Sequence, residues 1–130
     1  MIEPTRGQLE RSLSQRLQAL YREELGQQPS RITCQLFDNK LAAILEDSVT
    51  PAEQLIAQQG KAELTDQMRI ELTEATKPHV KALIEEVLQV NVRDILSDTT
   101  LETGRRGIIA ILETPPAVRS PNSNSRAQRE

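Results

Sequence analysis

Ser30-Arg31-Ile32-Thr33-Cys34-Gln35-Leu36-Phe37-Asp38-Asn39-Lys40-Leu41-Ala42-Ala43-Ile44-Leu45-Glu46 is the stretch on which the fold turns. Its first half alternates. Ile32, Cys34 and Leu36 fall on one side and Thr33 and Gln35 on the other, the period-two pattern of a strand with one buried face. Asp38-Asn39 follows, two residues that tolerate positive φ and so suit a hairpin turn. The second half, Leu41 to Leu45, is apolar at every position, as a strand in the middle of a sheet or at a subunit contact would be. A short chain must therefore find two covering layers for one strand.

On the N-terminal side, Leu9, Leu13, Leu17, Leu20 and Leu25 recur at helical spacing among Arg, Gln and Glu, which predicts an amphipathic helix over residues 6–25. Gly26 supplies its stop, and Gln27 to Ser30 connect it to the hairpin. On the C-terminal side, Thr50-Pro51-Ala52-Glu53 combines an N-cap, a proline at the first helical position and a capping-box glutamate. The helix that starts there is interrupted at Gln58-Gln59-Gly60. Leu64, Met68, Leu72 and Ala75 then begin a second stripe, continued by Val80, Leu83, Ile84, Val87 and Leu88, and Pro78 predicts a kink or restart near Thr76-Lys77.

Val90 to Leu96 and Gly107 to Leu112 read as a second pair of strands, joined by a linker from Ser97 to Arg106. Ile108 to Leu112 again lacks alternation. Pro115-Pro116 ends regular structure, and the Ser, Asn, Pro and Arg content beyond it predicts a disordered tail over residues 115–130. The expected fold is a single α+β domain over residues 1–114. Its two β-hairpins form a mostly antiparallel sheet, covered by the N-terminal helix and the long kinked helical segment.

Composition narrows the function classes. Only 2% of the residues are aromatic against 37% hydrophobic, so the core is aliphatic and platforms for base stacking are scarce. The net charge is -3; Arg119, Arg126 and Arg129 against Glu130 put +2 on residues 115–130, leaving -5 on residues 1–114. Nucleic acid is therefore not an expected partner. One cysteine makes no internal disulfide. The first residues do not read as a signal peptide, and the apolar runs fall far short of the ~20 residues that span a bilayer. The expectation is a cytoplasmic protein with no membrane insertion of its own.

Few residues offer chemistry. Cys34 as a nucleophile would need the single histidine, His79, as its partner, and the competing reading is a small buried hydrophobe on the apolar side of its strand. One histidine and one cysteine do not make a zinc site of the usual type. Asp94, Asp98 and Glu102 recur every four residues, which in a helix would gather three carboxylates for a divalent cation; β-branched neighbours argue instead for a solvated acidic edge. Gly104-Arg105-Arg106-Gly107 reads either as an anion-holding pair of guanidinium groups or as a plain strand entry. No metal or cofactor is expected.

Gly26 followed by Pro29, the hairpin, Leu45-Glu46-Asp47-Ser48-Val49-Thr50-Pro51-Ala52-Glu53-Gln54-Leu55, Arg69, and the run from Ile84 to Asp98 together resemble the MpsC family of small bacterial domains. The resemblance covers about residues 5 to 114. It implies association with a sodium-translocating, membrane-potential-generating system linked to cation and inorganic-carbon transport. It also points to Arg69, Asp94 and Asp98 as polar-contact residues. The family's Gly-x-Gly-Pro connector is here Gly26-Gln27-Gln28-Pro29, and its glycine after the Ile-Glu-x-x-Leu pattern is Gln89.

The resulting expectation is a non-enzymatic accessory or regulatory protein of an ion or bicarbonate transport system, peripheral to the membrane through a transporter-subunit partner. A homodimer is expected too, because one self-complementary patch would supply the missing covering layer to both copies. The alternative is a homodimeric small-molecule or anion sensor with Arg69, Arg105 and Arg106 around a dimer cleft. An enzyme would require Cys34 and His79 to meet.

Overall fold

The hairpin forms between β1 (Arg31–Phe37) and β2 (Lys40–Glu46), antiparallel with Phe37 opposite Lys40, in a computed structural model that describes residues 3–119. Of the two turn residues only Asp38 takes the left-handed conformation, at φ 59°. Asn39 serves differently: its side-chain amide donates to the Leu112 carbonyl at 3.1 Å and ties the turn to the last strand.

The first helix, α1 (Arg6–Leu25), begins on a Thr5–Gln8 capping box and ends at Gly26 with φ 66°, so both ends satisfy their free backbone groups. The Thr50 capping box likewise opens α2 (Pro51–Gln58). The long helix α3 (Ala62–Leu88) runs unbroken through Pro78, so there is no restart at Thr76-Lys77. Proline removes the amide that the Glu74 carbonyl would accept from, but Glu74 and Pro78 both face solvent, where water replaces it.

Two further strands complete the sheet, β3 (Val92–Thr100) and β4 (Arg105–Leu112). They are longer than expected, and the linker shrinks to a turn at Leu101–Gly104 because Thr99 and Thr100 pair with Arg106 and Arg105. The turn is held from outside the hairpin: the Ser48 amide donates to the Gly104 carbonyl at 2.6 Å, and Gly104 takes φ 74°. The four strands lie in the order β1-β2-β4-β3, every neighbour antiparallel, so the two apolar strands are the central ones.

The α+β architecture is as expected, with the helices packed on one face. Leu36, Leu41, Ala43, Leu45, Ile108, Ala110 and Leu112 point from the sheet to Leu9, Leu13, Leu17 and Tyr21 of α1 and to Val80, Leu83, Ile84 and Leu88 of α3. α1 and α3 run antiparallel, as Arg16–Glu86 at 2.6 Å and Glu24–His79 at 3.7 Å demonstrate. Because α1 stops beside His79, the first 17 residues of α3, about 25 Å at 1.5 Å per residue, extend beyond it. The expected stripe of Leu64, Met68, Leu72 and Ala75 is therefore not core. It stays half-buried or exposed, while Thr65, Thr73 and Thr76 point inward.

Gln89 ends α3 at φ 57°, a conformation that glycine adopts without steric cost. Gln89→Gly is expected to stabilise the fold by about 0.5–1 kcal/mol in urea denaturation, the relief of a left-handed side-chain residue less glycine's unfolded-state entropy. Destabilisation would mean that the bond from the Gln89 side chain to the Glu86 carbonyl outweighs that relief. Residues 115–119 have no helix or strand, yet Val118 packs on the core and the Arg119 amide donates to the Pro4 carbonyl at 2.8 Å. The rest of the expected tail, residues 120–130, lies outside the described residues.

Candidate polar site around Arg106

A strand places neighbours on opposite faces, and that pleat separates the two arginines. Both belong to β4 and not to a loop. Arg105 projects from the outer face, where its Nε meets Glu46 Oε1 at 2.8 Å in an exposed ion pair. Arg106 points inward and is 1% exposed. Arg69, on α3, pairs with Asp98 on β3 and lies 3.6 Å from Asp66. Asp94 and Asp98 share the outer side of β3, both exposed, and Glu102 is in the turn. Arg69 and Asp98 are thus brought together, whereas Arg69, Arg105 and Arg106 do not share a cleft within one chain.

Arg106 has an unusual setting. Its Nη1 donates to Thr73 Oγ1 at 3.0 Å and to Ser97 Oγ at 3.2 Å, while Nε and Nη2 have no partner. The guanidinium carbon lies 5.8 Å from the centre of the Tyr21 ring. Thr99, opposite Arg106 on β3, is buried with its hydroxyl unpartnered. Ser48 Oγ donates to Gln27 Oε1 at 2.6 Å, and fully buried Glu53 accepts at Oε1 from the Thr50 amide at 3.1 Å in the capping box of α2. Gln27 Nε2 and Glu53 Oε2 are unpartnered too.

These groups gather where β2 and β3 end, β4 begins and α1 stops, leaving the opposite end of the core to Leu9, Leu36, Leu41, Leu88, Val92, Ala110 and Leu112. The core is therefore polar at one end and aliphatic at the other. Arg106 thus brings a guanidinium with two unpartnered donors to a buried end that also holds the Glu53 carboxyl, and such donors suit a carboxylate, another anion or a carbonyl oxygen. Burial pushes the Tyr21 hydroxyl up from its ordinary pKa, and the Arg106 charge and a Thr76 hydrogen bond pull it partly back. The sequence reading missed Tyr21, Gln27, Ser48, Glu53, Thr73, Ser97 and Thr99. The available signal was Thr65, Thr73 and Thr76 at helical spacing within α3, where threonine is an unfavourable choice unless its hydroxyl has work to do.

Cys34 and His79 do not meet. Cys34 lies against Ser14 and Glu10 of α1, and His79 against Glu24; Ser14 and Glu24 are about 15 Å apart along the helix axis. Burial raises the Cys34 thiol pKa, a hydrogen bond with Ser14 opposes the rise and the Glu10 charge adds to it. Cys34 and Tyr21 both have folded-state values above their unfolded ones. Their stabilisation is therefore complete below the unfolded values, about 8.5 and 10, and is lost as pH rises through the folded ones. Urea denaturation should show stability falling above pH ~8.5, with a thiol reagent labelling native Cys34 far more slowly than unfolded Cys34. Fast native labelling at neutral pH would contradict this.

Among the described residues, no three His, Cys, Asp or Glu side chains converge as a metal site. No helix there is long and apolar enough to cross a membrane. The family model described as "Na+-translocating membrane potential-generating system (MpsC)" matches residues 5–114. Neither a curated protein nor a solved structure matches the chain.

Proposed function

Because the chain belongs to the MpsC family, we propose that it is a non-enzymatic accessory or regulatory protein of an ion or bicarbonate transport system, acting as a homodimer. The observation that carries this reading is the extent of the match, which runs from the Thr5 cap of α1 to just past the end of β4 and so takes in every element of the fold. In this reading the chain works on the cytoplasmic side, and since no helix among the described residues is long and apolar enough to cross a membrane, it meets the membrane through a transporter-subunit partner. The solvent-exposed Leu55, Leu64 and Ile70 on α2 and the protruding part of α3 offer such a partner an apolar surface. Purification of the tagged protein from its own cells, in mild detergent after light crosslinking, tests the link. Stoichiometric recovery of a membrane transporter subunit is expected; recovery of the protein alone would overturn it.

A second reading, an anion-sensing homodimer, is favoured by one observation, the buried guanidinium with two unpartnered donors. In this reading Arg106 alone holds the anion, since Arg69 and Arg105 are engaged by carboxylates. Thermal melts in chloride, phosphate and bicarbonate test it. An anion at 100 times its dissociation constant would add about 2.7 kcal/mol to the wild type and nothing to Arg106→Met. Equal responses from both proteins would dismiss it.

A further inference from the structure

The helices cover only one face of the sheet. On the other, Phe37, Ile44, Leu96 and Ile109 are 36–59% exposed, with Ala42 and Ile111 half-buried between them. An antiparallel sheet that ends in water presents polar side chains on that side, and this one sets isoleucine, leucine and phenylalanine among them. We propose that the outer face is the homodimer interface, two copies stacking sheet on sheet about a two-fold axis that runs along the strands between β2 and β4. This rests on the homodimeric part of the reading above and is independent of its link to transport.

Three features select a second copy and this geometry. Both edges of the sheet carry features that disfavour extension. Near the end of β1, Glu10 accepts from the Leu36 amide at 2.7 Å, and just before the strand Gln18 donates to the Pro29 carbonyl at 2.7 Å, so α1 occupies both ends of that edge. Along β3, pairing with a second β3 about Leu96 would set Asp94 against Asp98, a like-charge clash.

The two central strands are also complementary to each other across that axis. Across the midline, Ile44 is the register partner of Gly107 and Ala42 of Ile109, a large residue beside a small one in both rows. Rotation about the proposed axis lays Ile44 over the second copy's Gly107, Ile109 over its Ala42 and Glu46 over its Arg105. Finally, the rim carries Arg31, Lys40 and Arg105 against Glu46, Asp94 and Asp98, an even balance that suits a copy of itself better than an anionic membrane surface.

Four strands about 4.8 Å apart and about 24 Å long give roughly 450 Å² per copy, about 900 Å² in all. That is below the ~1,200 Å² of standard stable interfaces, so the dimer should exchange with monomer in the micromolar range. Sedimentation velocity of the full chain, from low micromolar to submillimolar concentration, tests the proposal. The wild type is expected to pass from monomer to dimer. Ile44→Lys and Ile109→Lys should weaken the dimer by about a hundred-fold or more, since each buries an unpaired charge. Both side chains are exposed in a single copy, so their circular dichroism spectra and dilute-solution melting points should match the wild type. A dimer untouched by both variants would overturn the interface while leaving the homodimer standing. A wild type that stays monomeric throughout would overturn both.

Discussion

Leu17→Ala is expected to lower the stability of the domain by about 2–5 kcal/mol, the usual loss for a leucine truncated in a well-packed core. Leu17 is fully buried in the middle of the α1 stripe, between Leu13 and Tyr21 and against the sheet. The inner layer holds few aromatic side chains whose area could compensate, because the chain has one Tyr, one Phe and no Trp. Domains of this size are stable by about 5–15 kcal/mol, so the variant should lose a large part of its margin and unfold at much lower urea concentration with an unchanged slope. A loss below about 1 kcal/mol would mean that α1 is not the lid of this core. Leu64→Ala, on the exposed stripe of α3, is the matched control and should lie within about 0.5 kcal/mol of wild type in dilute solution.

Arg106→Met is expected to leave stability unchanged or to raise it by about 1–3 kcal/mol, the order of what a buried polar group without a partner costs, although it removes a fully buried side chain of similar length. The guanidinium has left water for two hydroxyl contacts and an aromatic face, with two of its nitrogens unpartnered. Methionine fills much of the same volume with no charge to desolvate. Removing the positive charge should also push the Tyr21 hydroxyl pKa higher still, because Arg106 is one of the groups that lower it. A strongly destabilised Arg106→Met would contradict this and mark the arginine as an organising contact of the polar end. Arg106→Ala, which adds a large cavity, is expected to destabilise and separates volume from charge.

Most of the fold was legible because its signals are local. Alternation in Ile32, Cys34 and Leu36, the leucine spacing of α1 and the Thr50-Pro51-Ala52-Glu53 box each depend on neighbours within a turn or two, and each formed as read. The end of β3 and the start of β4 were not legible, because Ser97, Asp98, Thr99 and Thr100 carry weak strand preference and are ordered by pairing with β4 and by Ser48 holding Gly104. That boundary decides the candidate site. In a loop, Arg105 and Arg106 would converge; in a strand, they point to opposite faces. The helical period of α3 was readable as well, but which face turns inward depends on where α1 ends, and within residues 62–75 only the spacing of Thr65 and Thr73 hints at it. Apolarity on both sides of β2 and β4 was visible from the start; that the chain's own helices cover one side only is a matter of the finished topology.

The most direct test of the account is the sodium-dependent membrane potential of the cells that produce this protein, measured with a potential-sensitive dye in the presence and absence of the chain. Removal should lower the potential that sodium supports, with wild type restoring it and Ile44→Lys restoring it poorly. A potential indifferent to the chain under sodium load would contradict the proposed link to a membrane-potential-generating system.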